Sequence, residues 1–145
     1  MVCLGNICRS PLAEGILQQK INNLSLGWEV DSAGTSSLHA GEKPDIRSIQ
    51  VAKTNGIDIS NQRSRPFRSW DFETFDWIYV MDSSNYSDVI AMAQSEKEKA
   101  KVKLIMNELE PGKNIAVPDP YYGEFGFENV YKMLDQACNK IVGIN

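Results

Sequence analysis

No stretch of this 145-residue chain approaches the roughly 20 consecutive apolar residues that a bilayer-spanning helix requires. No segment near the amino terminus has the layout of a signal peptide. Cysteine is scarce, with three residues. That odd count argues against a disulfide-stapled scaffold and for reactive thiols in a reducing compartment, so the cytoplasm is the expected location. Positive charge is also in the minority. Fifteen Lys and Arg against 19 Asp and Glu leave a net charge of −4, which argues against nucleic acid or an acidic membrane as the main partner. The single histidine, His39, lies in a loop of Ser, Gly and Lys residues and is expected to face solvent. There is no internal repeat, low-complexity tract or linker. Residues 1–145 are therefore expected to form one domain, long enough for a sizeable core.

What the chain does have is concentrated in Cys3-Leu4-Gly5-Asn6-Ile7-Cys8-Arg9-Ser10, running straight into Pro11. A thiol, five intervening residues and a guanidinium share one tight loop. A helix follows, with Leu12, Ala13, Ile16 and Leu17 at helical spacing. Successive backbone N–H groups curled into a concavity bind anions, and a helix N-terminus adds its positive dipole end. Arg9 can fork two hydrogen bonds onto phosphate oxygens, a geometry that Lys lacks. The same electropositive pocket favours the thiolate of Cys3, a nucleophile at neutral pH.

Local grammar agrees. Gly5 and Asn6 tolerate the positive φ that an inward-folding loop needs. Ser10 suits the N-cap and Pro11 the first helical position, and the Ser10 hydroxyl is a candidate donor to the Cys3 sulfur. A bare Cys-x5-Arg spacing is a weak signal, since two buried thiols beside a surface arginine would also produce it. With Gly5, Asn6, Ser10 and Pro11 in register the reading becomes a phosphatase with a covalent phosphocysteine.

Along the chain, apolar runs predict strands at 1–4, 28–32, 76–81 and 102–106. Amphipathic periodicity predicts helices at 11–22, 45–55 (closed by Gly56), 83–94 and 126–142. In the last helix, Val130, Met133, Leu134, Ala137, Cys138 and Ile141 are expected to point inward. Strands alternating with helices imply βαβ units and a doubly wound parallel sheet. Such sheets bind ligands beyond the carboxyl ends of their strands, where the loop after residue 2 lies.

Cys3 to Pro11 resembles the phosphate-binding loop of the low-molecular-weight protein tyrosine phosphatases. The likeness continues through Val30-Asp31-Ser32-Ala33-Gly34-Thr35-Ser36, Pro44-Asp45-Ile46-Arg47, Val80-Met81-Asp82-Ser83-Ser84-Asn85 and Asp119-Pro120-Tyr121-Tyr122-Gly123. These blocks stand in the family's order and span nearly the whole chain. The implied fold is a three-layer α/β doubly wound structure with a central four-stranded parallel sheet in the flavodoxin-like order 2-1-3-4. The family's first strand usually begins several residues before the nucleophile, whereas Met1 and Val2 alone precede Cys3 here. The natural chain is therefore expected to extend upstream.

The resemblance also assigns roles. Cys3 becomes the nucleophile, assisted by Arg9 and Ser10, with the backbone of Leu4, Gly5, Asn6, Ile7, Cys8 and Arg9 around the phosphate. A tyrosine phenol, with a pKa near 10, leaves slowly unless protonated. Asp119, stiffened by Pro118 and Pro120, is the implied general acid and later the general base for water; taken alone, Asp-Pro is common turn chemistry. Tyr121 and Tyr122 are either packing aromatics or cleft walls, and the resemblance favours walls, joined on the rim by Leu38, where many relatives carry an aromatic. Asn6, Ser32 and Asp82 become supports for the loop, although Asp82 alone reads equally as a helix cap. Asp45 and Arg47 read as a helix start with structural ion pairing. Cys8 is the implied redox partner of Cys3, protecting it through a reversible disulfide. Cys138 reads as core. Arg63, Arg65 and Arg68 read as a solvated basic loop, and Asn61 stands where relatives often have His.

No cofactor or metal is implied. The expected substrate is a phosphotyrosine protein, with a tyrosine kinase as a candidate partner and phosphate or vanadate as inhibitors, acting on a monomer or weak dimer. Two alternatives share the fold. An arsenate reductase needs a cysteine pair to relay a disulfide, yet residues 76–100 contain no cysteine. A phosphoarginine phosphatase of this fold carries Thr where this chain has Ile7 and lacks the paired tyrosines. A noncatalytic phosphopeptide-binding module is the third reading, which the joint presence of Cys3, Arg9, Ser10 and Asp119 disfavours.

Overall fold

Strands and helices alternate from the first residues onward: β1 (Val2–Cys3), α1 (Arg9–Asn23), β2 (Ala33–Gly34), α2 (Ile46–Thr54), α3 (Asp71–Thr74), β3 (Ile78–Val80), α4 (Ser83–Met92), α5 (Glu96–Lys99), β4 (Val102–Leu104), a 3-10 turn (Ile105–Glu108) and α6 (Gly126–Ile141). The computed structural model describes residues 1–123 and 126–144. All the strand pairs are parallel, as the alternation of elements implied, and the sheet order is β2-β1-β3-β4, as the resemblance implied.

The period of two along each strand sorts side chains between two layers. Tyr79 and Met81 join Cys3 in one apolar cluster, under α1, α2 and α6. Ile78 and Val80 join Val2, Val102 and Leu104 in a second, with Val89 of α4. The three helices of the first layer pack on one another, whereas α4 packs on β3 and β4. In α6, Phe127, Val130, Leu134, Ala137 and Cys138 are buried, with Met133 and Ile141 at the margin. Asp45 caps α2 by accepting from the Arg47 amide at 2.9 Å, and Gly56 closes it at φ 79°.

Three expectations need correction. The second strand lies at Ala33–Gly34, not at 28–32. β1 pairs Val2 with Ala33 and Cys3 with Gly34, and upstream of that Met1 N reaches Asp31 O at 3.0 Å. Trp28–Val30 therefore meet no strand to ladder with, and Trp28 is half-exposed. The first helix begins at Arg9 rather than Pro11, with Cys8 as N-cap and no side-chain cap bond. The Ser10 hydroxyl is engaged with Cys3 and Asn6, so it is not free to cap. Finally, β4 ends at Leu104, where the chain tightens into the 3-10 turn.

Gly34 marks where the sheet meets the loop that follows β1. A Cβ there would lie 2.8 Å from Leu4 O and 3.0 Å from Ser36 O, both backbone atoms that cannot swing aside. Gly34→Ala should therefore lower stability by about 1–3 kcal/mol, the usual cost of overpacking, as read from urea unfolding. An unchanged midpoint would show that the backbone yields at no cost.

Candidate active site

The loop between β1 and α1 is shaped by where its carbonyls go. Cys3 O accepts from Thr35 N at 2.9 Å, Leu4 O from Ser36 N at 2.9 Å and Ile7 O from Asp45 N at 2.8 Å. Two hydroxyls complete the set: Ser64 Oγ donates to Gly5 O at 3.0 Å and Ser48 Oγ to Cys8 O at 3.2 Å. With its carbonyls pinned to the surrounding scaffold, the loop turns its amides the other way. Among the described residues, the N–H groups of Gly5, Asn6, Ile7 and Cys8 donate to no carbonyl or side chain. Unpaired amides clustered in one loop at the start of a helix make an anion cradle.

Asn6 holds the strained corner at φ 55°, whereas Gly5 is not in the left-handed region. A Cβ at Gly5 would sit 3.0 Å from Cδ2 of His39, so a larger residue there would press on that imidazole. The Asn6 amide donates to Ser10 Oγ at 2.7 Å and Ser32 Oγ at 2.9 Å, while its oxygen accepts from Arg65 N at 3.0 Å. The Ser32 hydroxyl in turn donates to Glu14 Oε1 at 2.8 Å. Burial raises the Glu14 carboxyl above its ordinary value, and the Ser32 bond partly opposes this. Because Asn6 donates to Ser10, the Ser10 proton is left for Cys3 Sγ, 3.0 Å away. Cys3, Asn6, Ser10 and Ser32 therefore form one buried network.

Arg9 is 2 % exposed, so it is not the surface arginine that a bare Cys-x5-Arg spacing would also allow. Its Nη1 donates to Asp82 Oδ2 at 2.7 Å and to Val117 O at 3.0 Å. Asp82 does both jobs left open by its sequence position, since its other oxygen caps α4 through Asn85 N at 2.8 Å. Arg9 Nη2 points to Asp119 Oδ2 at 3.7 Å. Asp119 Oδ1 accepts from Tyr121 N at 3.1 Å, so it forms the Asp-Pro turn and faces the arginine of the cradle at once. Tyr121 and Tyr122 meet edge to face, ring centres 4.9 Å apart; Tyr121 is 40 % exposed, Tyr122 and Leu38 far more. All three are exposed and are not buried packing.

Cys8 is buried within the loop, and burial pushes its thiol up to about 12, with Asp45 adding to the effect. Cys138 is pushed up to about 12 by burial in the core. His39 is only part-exposed: it lies against Gly5 and shares a 2.8 Å bond with Glu42 Oε2. Arg65 is not a solvated charge either, pairing with Asp31 at 3.1 Å and Asp71 at 3.0 Å. Asn61 is exposed, and its segment supports the loop through Ser64 and Arg65 N instead. Sequence reasoning missed Glu14, Ser48 and Ser64. A usable signal existed for Ser48, a small polar residue on the buried face of α2 beside Val51 and Ala52. Among the described residues, no three His, Cys, Asp or Glu side chains lie close enough together to hold a metal ion.

Comparisons with known proteins bear on this geometry. Residues 1–143 match the family model described as "Low molecular weight phosphotyrosine protein phosphatase". A Synechocystis relative named as a putative low-molecular-weight protein-tyrosine-phosphatase is 43 % identical, over 97 % of this chain and 91 % of its own. The crystal structure of a protein tyrosine phosphatase from Entamoeba histolytica, with Hepes in its active site, superposes with a TM-score of 0.90 at 40 % identity, over 97 % of this chain and 91 % of that one. A Drosophila arginine phosphatase superposes with a TM-score of 0.90 at 33 % identity, over 98 % and 93 %.

The thiol environments carry a prediction. At pH 7 iodoacetate should alkylate Cys3 alone, and inorganic phosphate should protect it by filling the same cradle. Cys8 and Cys138, held protonated by burial, should stay unmodified until the chain is denatured. Peptide mass mapping checks this, and label on Cys8 with Cys3 untouched would reverse the assignment.

Proposed function

This chain belongs to the low-molecular-weight protein tyrosine phosphatases, and from that premise we propose the part each residue plays in hydrolysing phosphotyrosine. The phosphoryl oxygens occupy the cradle of Leu4–Arg9 amides, with the Arg9 guanidinium forked onto two of them. The Cys3 thiolate attacks phosphorus as the bond to the phenolic oxygen breaks, and Asp119 donates a proton to that oxygen so that tyrosine leaves neutral. Asp119, now a carboxylate, takes a proton from water. The water oxygen attacks the phosphocysteine, and inorganic phosphate departs as the Cys3 thiolate returns. The Ser10 hydroxyl steadies the sulfur each time it carries negative charge. Asn6, Ser32 and Asp82 hold the loop and Arg9, while Tyr121, Tyr122 and Leu38 wall the entrance.

One observation carries this reading. Arg9 belongs to the phosphate loop, yet it also bonds Val117 O and faces Asp119 at 3.7 Å, which joins the acid's loop to the nucleophile's loop. A turn aspartate with no chemical task would not need that neighbour. A chain of this geometry acts on a phosphotyrosine protein, with a tyrosine kinase as the partner to try first. A thiol that must stay reduced to work fits the cytoplasm. Under peroxide, Cys3 would become a sulfenic acid and condense with the Cys8 thiol, releasing water and forming a disulfide that thiol reductant reverses.

The Drosophila neighbour, named an arginine phosphatase, raises phosphoarginine as a second substrate. Here the exposed Tyr121–Tyr122 pair offers ring faces suited to a phenyl group, and Ile7 occupies the position that carries Thr in a phosphoarginine enzyme. For arsenate reduction, Cys138 is the one thiol outside the loop. It lies buried in α6 against Ala13 O, with no second cysteine to continue a relay.

Cys3→Ser should abolish release of p-nitrophenol from p-nitrophenyl phosphate, and vanadate should inhibit the wild type. Asp119→Asn should slow phosphotyrosine hydrolysis by about 10²–10⁴, the usual worth of a positioned acid, and p-nitrophenyl phosphate far less because its leaving group needs little protonation. Equal losses on the two substrates would take the acid role from Asp119. Faster turnover of phosphoarginine than of phosphotyrosine would replace the substrate.

A further inference from the structure

Arg47 stands in the first turn of α2 with its guanidinium against two rings. Its Cζ lies 5.4 Å from the centre of the Tyr121 ring and 4.6 Å from that of Phe127. Its Nε and Nη2 also donate to the two oxygens of Asp45, each at 3.0 Å. That fork fixes the plane of the guanidinium, which a lysine ammonium could not do. An isolated ion pair at 40 % side-chain exposure would add little to stability. What this pair connects is more informative than its strength.

At one end, Asp45 is fastened to the phosphate loop, because its amide donates to Ile7 O at 2.8 Å. At the other end, the Tyr121 amide donates to Asp119 Oδ1 at 3.1 Å and so sets the carboxylate's direction. Among the described residues the other supports of the acid loop act elsewhere, and Gly123 N closes only the turn onto Pro120 O at 3.1 Å. Val117 is held by Met81 O and by Arg9, and Pro120 rests on Gly126, where a Cβ would come within 3.0 Å of the Pro120 Cβ. Neither support reaches Tyr121. Its other ring neighbour, Tyr122, is 90 % exposed and offers no anchor. The path from loop to acid thus runs Ile7, Asp45, Arg47, Tyr121, Asp119.

We propose that Arg47 is a positioning residue: with Asp45 it forms a bracket between the phosphate loop and the acid loop, holding Tyr121 so that Asp119 meets the leaving oxygen of a bound phosphotyrosine. This rests on Asp119 being the general acid. The bracket touches neither phosphorus nor sulfur, so its loss is felt only where proton donation matters.

The experiment is a four-way comparison of wild type, Arg47→Met, Asp119→Asn and the double variant, each assayed on phosphotyrosine and on p-nitrophenyl phosphate. Arg47→Met should lower kcat/KM for phosphotyrosine by about 10–100-fold, the scale of an ångström-sized misplacement of a catalytic group. The loss on p-nitrophenyl phosphate, and the change in vanadate affinity, should each stay within about threefold. In the Asp119→Asn background the same substitution should add almost nothing, since groups acting through one another are not additive. Arg47→Lys, which keeps charge but loses the fork, should show the same leaving-group selectivity and guards against a Met variant that folds poorly.

Equal losses on both substrates, or losses that multiply in the double variant, would overturn the bracket while leaving Asp119 as the acid. Should Asp119→Asn itself show no leaving-group selectivity, the acid assignment fails first and the bracket falls with it.

Discussion

A polypeptide that turns several consecutive amides toward one point must send the intervening carbonyls somewhere else, and in a protein interior each of them needs a donor. In the loop from Cys3 to Cys8 those donors are Thr35 N, Ser36 N, Asp45 N and the hydroxyls of Ser64 and Ser48. They come from segments spread between Thr35 and Ser64, so the loop holds its shape only when β2, α2 and the segment before α3 are all in place. The oxyanion cradle is therefore a property of the whole fold, presented by six residues. Preorganisation of this kind is what makes fixed dipoles effective on a charged transition state, since little reorganisation remains to be done when charge moves.

The same constraint explains the polar groups that the core tolerates. Asn6, Arg9, Ser10, Ser32 and Ser48 are all buried, and each makes hydrogen bonds that serve the loop. Arg9 avoids the penalty of an unpaired buried charge through Asp82 and Val117 O, and its second Nη faces Asp119. That arrangement makes one guanidinium the meeting point of nucleophile loop, α4 cap and acid loop. On the other flank, Asp45 and Arg47 span the same gap from the α2 side. The two loops to which the proposed mechanism assigns the nucleophile and the acid are thus linked both beneath and beside the cradle, which suits a displacement with sulfur, phosphorus and leaving oxygen in line and a carboxyl beside that oxygen.

Much of this was readable in advance, and the reasons differ by residue. Cys3, Arg9 and the loop between them are contiguous, so their spacing alone defines the loop. The doubly wound parallel sheet came from the alternation of apolar runs with amphipathic segments, and its strand order from the family resemblance. Asp119 is different. Its Asp-Pro context is equally good turn chemistry, and the structure shows that turn alongside the approach to Arg9. His39 and Arg65 were read as solvent-facing because nothing local says otherwise. The former packs on Gly5 and the latter threads between Asp31 and Asp71, contacts made across tens of residues.

By itself, then, the order of residues determined the four long helices, the alternation that layers them on the sheet and the identity of the contiguous phosphate loop, because helix period, strand period and loop spacing are local quantities. Tertiary structure alone decided where Ser10 spends its hydroxyl, which carbonyls are pinned outward, that Glu14, Ser48 and Ser64 serve the loop, and that Arg47 lies against Tyr121. It also moved the second strand to Ala33–Gly34, since a strand exists only where its neighbour offers a ladder. Hydrogen bonds between distant segments depend on distances that no local period encodes.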